Sequence, residues 1–281
     1  MAKRQTKTKA SSTQVKYLCS LWGMHLPTLE ANLRLIKEAG FDGVEMAAPA
    51  DLDKRGDLRA LLDTLQLDLV VQQHSRGDTP DEQTKSLLQQ LEWGAELRPL
   101  LINSHTGKDF FALKDNLRII KKVNQRAEKL DLPIVHEVHR TRAPYTAPVT
   151  MAILDAIPDL RLAADFSHWC VVHESLMQDQ PENMARAIAH TWHIHARVGF
   201  AEAPQVNDPR APEWQTALDA HLDWWQRIVD ARRADGAPLV TIATEFGPPN
   251  YQPTLPSPRQ PVANLWEINC WMMRLLRERF G

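Results

Sequence analysis

The chain has 281 residues, 43% of them hydrophobic and 24% charged, with a formal charge of −2, which is enough material for one large core or two small ones. The balance conceals a basic start: Lys3, Arg4, Lys7, Lys9 and Lys16 stand in a stretch of sixteen residues without an acid, so the remainder carries 28 basic groups against 35 acidic ones and gives no electrostatic reason to expect nucleic acid as a partner. No stretch approaches the length of a membrane span, the first residues lack the apolar segment of a secretory signal, and Cys19, Cys170 and Cys270, at no metal-binding spacing, read as reduced thiols in a cytoplasmic protein.

Residues 1–16 are expected to form a disordered basic tail and 17–281 a single domain. From there on, short apolar segments of β-type residues alternate with longer amphipathic ones. Strands are expected at 17–23, 43–48, 68–74, 100–105, 133–139, 160–166, 191–198 and 239–246. Helices are expected between them, at 27–39, 52–65, 79–97, 111–130, 147–157, 180–189 and 212–235, with a last one at 262–280. Such alternation implies parallel strands joined by helical crossovers. Eight units in this length match a closed (β/α)8 barrel, and no G-x-G-x-x-G or Walker loop argues for an open dinucleotide-binding sheet. The segments GFAEAPQVNDPRAP (199–212) and FGPPNYQPTLPSPRQP (246–261) follow strands seven and eight, where a barrel keeps rim loops over its C-terminal mouth; both are candidate lids.

Strand five ends in PIVHEVHR (133–140). The run is not the H-E-x-x-H of zinc proteases: only Val138 separates Glu137 from His139, and Pro133, Ile134 and Val135 favour an extended chain. On a strand Val135, Glu137 and His139 share one face, while His136 turns to the other as a structural histidine. Strand six ends with Asp165, strand seven with His195 and strand eight with Glu245, so four consecutive strands each deliver one ligand-type side chain to the same mouth. Alternation agrees, since Ala163 and Asp165 share a face, as do Thr241, Ala243 and Glu245. His193 competes with His195 on one face; His195 is nearer the mouth, and His193 reads as a hydrogen-bonded core residue. Buried carboxylates cost several kcal/mol each, roughly, unless a positive charge neutralises them. Three acids and an imidazole therefore point to one divalent cation, with Mn2+ expected and Mg2+, Co2+ or Zn2+ also suited to the set.

His74 and His105, ending strands three and four, aim at the same mouth as substrate contacts. His168, in the D-x-x-H that starts at Asp165, is expected to hang over the metal. Arg140, Arg142 and Arg197 are placed to hold a hydroxyl, carboxylate or phosphate, Arg197 being preferred because it shares the His195 face. Trp22 and Trp169 offer an apolar wall for a sugar ring, while Trp224, Trp225, Trp266 and Trp271 read as helix packing.

With these residues in place the sequence resembles the xylose isomerase-like barrel superfamily of sugar isomerases, ketose 3-epimerases, inosose and dehydroshikimate dehydratases and apurinic endonucleases. The resemblance is carried by AGFDGVE (39–45), Glu137, the D-x-x-H of Asp165 and His168, the H-x-H of His193 and His195, and EFGP at Glu245. It implies that Glu137 and Glu245 are both metal ligands and catalytic, exchanging protons with opposite faces of a substrate carbon while the metal stabilises an enediolate. A metal-dependent isomerase or epimerase of a keto or aldo sugar is the expectation, with elimination at the same site, as in a dehydratase or lyase, as the alternative. An apurinic endonuclease reading is favoured by His74 and His105 as ligands of additional zinc ions; it is opposed by the acidic body and by the missing D-x-H after strand seven, where Asp208 is followed by Pro209 and Arg210. A catalytically dead barrel serving as a binding subunit would show a missing ligand, and none is missing. The HEVHR and HARVG runs, which include His139, Arg140 and Arg197, carry more positive charge than a neutral sugar requires and point to an anionic or larger substrate. The apolar run LWEINCWMMRLL (265–276) is the candidate surface for a homo-oligomer.

Overall fold

The computed structural model describes residues 13–281, so most of the expected basic tail, residues 1–12, lies outside the described residues. The chain order is β1 (Gln14–Ser20), α1 (Leu29–Glu38), β2 (Gly43–Ala47), α2 (Leu52–Leu65), β3 (Asp68–His74), α3 (Pro80–Glu96), β4 (Leu101–His105) and α4 (Leu113–Lys129). It continues with β5 (Ile134–Glu137), α5 (Ala147–Ala156), β6 (Leu162–Ala164), α6 (Ser167–Val172), α7 (Pro181–Ala189), β7 (Thr191–Ala196), α8 (Gln215–Ala234), β8 (Leu239–Thr244) and α9 (Leu265–Phe280). The eight strands are parallel and close on themselves in sequence order, β1 pairing with both β2 and β8.

Period-two alternation builds two cores from the same strands. Leu18, Val70, Leu101, Val135, Ala163 and Ala243 meet inside the barrel. Their neighbours Tyr17, Cys19, Leu69, Val71, Ile102, Val240 and Ile242 face outward into the layer shared with the helices. The helices answer with one apolar face each; α4 buries Ile119, Ile120, Val123 and Ala127, the spacing of a helical stripe. The starts of α1, α2, α3, α5 and α9 are fixed by side chains that accept the otherwise orphaned first N–H groups, at Thr28, Asp51, Thr146 and Asn264 and in the reciprocal Thr79–Glu82 box.

Several boundaries differ from the sequence expectation: strands β5 to β8 each stop two residues short of it, at Glu137, Ala164, Ala196 and Thr244, and both ends of β1 move. Strand β1 begins at Gln14, and Lys16, assigned above to the tail, pairs its ammonium with Asp68 at the start of β3; Gln14–Lys16 belong to the barrel. Strand β1 also stops at Ser20, where the chain turns through Gly23 at φ +96°, a conformation natural to glycine. The extra helix α6 starts two residues after Asp165, on a segment too short to show a helical period. The run 265–276 turns Ile268, Met272, Met273 and Leu276 into the outer core, and α9 packs on β1 and β8. Among the described residues no helix is long and apolar enough to cross a membrane.

Candidate active site

Above the apolar plug of the barrel the inward-facing positions become polar. Glu137 is the last residue of β5, Asp165 and Glu245 stand one residue beyond β6 and β8, and His195 is the penultimate residue of β7. All four are buried, and one donor atom from each lies within 4.8 Å of the others. His195 Nδ1 is 2.7 Å from Glu245 Oε2 and 3.6 Å from Glu137 Oε2. Neither His195 Nδ1 nor Glu245 Oε2 has a partner in hydrogen-bonding geometry. Two buried atoms that face each other at this distance with no well-aligned partner are satisfied by a shared proton or by a cation that takes its place.

The other ring nitrogen of His195 fixes its tautomer. Nε2 lies 3.0 Å from both carboxylate oxygens of Glu45, which only an N–H can exploit, so Nδ1 is the nitrogen turned to the acids at the mouth, where a cation can replace its proton. Glu45, on β2, also accepts from Asn103 Nδ2 at 2.9 Å and lies 3.1 Å from His193 Nε2. Asn103 bonds Glu137 as well, at 2.7 Å. Glu45 and Asn103 are thus the organising residues that reading the ends of strands five to eight misses. The signal was available: an acid inside the apolar strand GVEMAA and an amide inside LLINSH both sit on the inward face. His193, between Glu45 and Thr241 Oγ1 at 2.7 Å, is a core histidine, and His136 is held by Thr106 and Asn124 at 2.7 Å each on the helix side.

Burial governs the charge state of every group here, and the neighbours decide the outcome. Burial alone would raise the Glu137 carboxyl, but the imidazoles of His105, 2.7 Å away, and His195 hold it well below the usual carboxylate range. Glu45 is likewise held low against its burial by His195 and His193. Burial would lower His195, yet Glu245, Glu45 and Glu137 hold it well above the ordinary imidazole value. Asp165 is pushed up to about 6 by burial, with Arg197 pulling the other way and Glu245 adding to the rise. Arg197 is itself buried and pairs with Asp165, its second amino group 3.7 Å from Glu245. Three carboxylates against one permanent cation is a donor set short of positive charge, and one nitrogen with three oxygens suits a divalent ion.

A cavity of about 340 Å³ opens onto this cluster. Its wall includes Glu137 and Glu245 and, of the expected substrate contacts, His74, His105, His139 and Arg197. His168 and Arg140 are not on that wall. His168 is fully buried in the first turn of α6, its Nε2 2.9 Å from Arg197 Nη2, and Arg140 lies over the Tyr251 ring at 5.1 Å. Trp22 lines the cavity, whereas Trp169 is buried in the outer core against Phe166 at 5.1 Å. Tyr251 and Gln72 complete the wall with Arg142; Tyr251 comes from the Pro-rich loop after β8, where no periodicity announces which side chain turns inward. Both rim loops bear on the mouth. Gln205 of the first exchanges two hydrogen bonds with the backbone of Gly247 in the second, at 3.0 and 2.7 Å, and any side chain at 247 would fall on the Trp22 ring, 2.1 Å from its nearest atom.

No curated protein sequence matches the chain, but solved structures do. The Escherichia coli 3-keto-D-glucoside 4-epimerase YcjR is 15% identical, with 94% of this chain and 100% of that one covered at a TM-score of 0.63. The probable 3-DHS dehydratase AsbF of Bacillus anthracis is 14% identical, covering 94% and 99%, also at 0.63. The D-allulose 3-epimerase of a Methylomonas species, solved with D-allulose, is 12% identical, covering 95% and 98%, again at 0.63. At these identities the likeness is one of fold. Residues 33–204, well over half of the chain, match the family model described as xylose isomerase-like TIM barrel, and with the closed eight-stranded barrel this establishes that the chain belongs to the xylose isomerase-like TIM barrel family.

Proposed function

We propose that the chain is a divalent-metal-dependent isomerase or epimerase that moves a proton on the carbon next to the carbonyl of a sugar. The observation that carries this reading is the meeting of Glu137, Asp165, His195 and Glu245 around the unpartnered His195 Nδ1 and Glu245 Oε2. These four residues would hold the ion, Mn2+ being the expected one. When bound, a divalent ion supplies Lewis acidity, stabilising the negative charge that develops on adjacent carbonyl and hydroxyl oxygens.

The protein's own groups account for the proton. Glu137 is kept ionised by His105 and His195 and lines the cavity beside Glu245, so two carboxylates are available at the reacting carbon, one to take the proton and one to return it. His105, bonded to Glu137, and Asn103, bonded to the same carboxylate, restrict its rotation and hold it on that carbon. The cavity volume suits a small molecule, and D-allulose is bound by one structural relative.

The test is solvent exchange: with Mn2+ and a panel of ketoses in deuterated water, deuterium is expected at the carbon beside the carbonyl, with loss of exchange in Glu137→Gln and Glu245→Gln. Failure to exchange across a broad panel sinks the proposal. An enone absorbing in the ultraviolet would instead assign elimination.

A further inference from the structure

We propose that the substrate carries an anionic group, a carboxylate or phosphate, and that Arg142 with His74 and His139 is the subsite that binds it. The inference deepens the sugar reading above by naming a substrate class for the same cavity.

Arg142 stands on the cavity wall, outside both the Arg197–Asp165 pair and the Glu137, Asp165, His195 and Glu245 cluster. The acids that act on it are Glu137 and Asp109, and among the described residues it forms no ion pair with either. Its one side-chain hydrogen bond is from Nη1 to Ser75 Oγ at 3.2 Å, and its Nε is buried without an acceptor. A part-buried guanidinium with an unmet donor is unfavourable unless something completes it. A forked carboxylate or phosphate is the group whose oxygens match that donor pattern.

The neighbours favour the same ligand. His139 Nδ1 lies 3.3 Å from the backbone N–H of Thr141 and accepts from it, which places the ring proton on Nε2 and makes His139 a donor at the wall. His74 lines the wall beside His105, ring centroids 4.2 Å apart, and its side chain has no hydrogen-bond partner among the described residues. Neither imidazole brings a competing negative charge. A neutral sugar gives these donors only hydroxyls, which leave the charge of Arg142 unanswered.

The test uses the Mn2+-loaded chain and three ligands that differ at one carbon: D-fructose, D-fructuronate and D-fructose 6-phosphate, titrated by calorimetry, with inorganic phosphate and acetate as minimal probes. At least one of the two anionic sugars is expected to bind about tenfold or more tightly than D-fructose, the uronate arm reporting a carboxylate site and the phosphate arm a phosphate site. Arg142→Met is expected to bring the anion-to-neutral ratio close to one, and Arg142→Lys, which keeps the charge but not the fork, to restore part of it. Equal affinities in the wild type, no saturable anion binding below about 10 mM, or a preference that survives in Arg142→Met overturns the proposal. Its failure is separable from that of the sugar reading: a chain that exchanges deuterium only into neutral ketoses keeps that reading and loses this one, whereas anion binding through Arg142 without proton exchange does the reverse.

Discussion

His195 presents Nε2–H to Glu45 and Nδ1 to the acids at the mouth, so the residue that aims the ring is as important to the site as those that meet it. Glu45 holds two imidazoles at once and is tied to Glu137 through the shared amide of Asn103. Glu45→Gln removes the charge and exchanges one acceptor oxygen for a donor facing two ring N–H groups. Metal affinity, read by calorimetric titration of Mn2+ into chelator-treated protein, is expected to fall by about 10- to 100-fold, and exchange activity to recover in part at saturating Mn2+. Unchanged affinity would mean that His195 is oriented by packing alone. The convergence of Glu137, Asp165, His195 and Glu245 was legible because each is an ionisable residue on an inward-facing position at the end of one of four consecutive strands. Glu45 and Asn103 obey the same alternation, but they lie on strands two and four and bond only to groups far away in the chain, by 58 residues in the case of Asn103 to Glu45. No local pattern records that partnership.

At the level of elements, the loops after β7 and β8 depend on buried groups that sequence periodicity does not touch. Gln205 is almost fully buried and supplies both a donor and an acceptor to Gly247. Gln205→Leu keeps the bulk and leaves the Gly247 N–H and C=O unpaired, so unfolding stability is expected to drop by about 2 kcal/mol in urea titrations, with KM for the substrate rising more than kcat falls because Trp22 and Tyr251 lose their seating. A second hold is His221, whose Nδ1 lies 2.8 Å from Ala217 O and whose Nε2 accepts from the Gly199 N–H at 3.3 Å. Burial lowers His221 to about 4 and His136 to about 3. A histidine with a depressed folded value binds fewer protons folded than unfolded between that value and about 6.5. The two therefore contribute stability in full above about pH 6.5 and lose it as pH falls toward 4 and then 3, on the order of a few kcal/mol each. Urea midpoints measured from pH 7 to 4 are expected to fall, and His136→Asn, whatever it does at pH 7, to flatten that fall. An unchanged slope in that variant would show that the His136 imidazole does not take up a proton on unfolding. The helices themselves were readable to within two or three residues because apolar spacing and N-terminal caps are local; α6 was not, since six residues carry less than two helical turns.

For the whole molecule, closing eight strands in order places residues from positions 45 to 245 around one space, so the barrel pays electrostatically for what it gathers. The inner layer of Leu18, Val70, Val135 and Ala243 excludes water below the acids, which strengthens their mutual repulsion. Arg197 offsets only part of it. A divalent ion that binds the folded barrel and not the unfolded chain stabilises it by mass action, by about 2.7 kcal/mol at a hundred times its dissociation constant. In a chain of 281 residues that corresponds to a rise in Tm of roughly 5 °C. Calorimetry of chelator-treated protein with and without excess Mn2+ should show this rise, and Glu245→Gln, which removes one ligand and one repelling charge, should raise the metal-free Tm while shrinking the metal-induced increment. The two changes have opposite signs only if the acids are held together by the fold and relieved by a cation. If Glu245→Gln instead lowers the metal-free Tm and leaves the increment intact, the four strand ends are an ion-pair network centred on Arg197 and the metal reading fails with them.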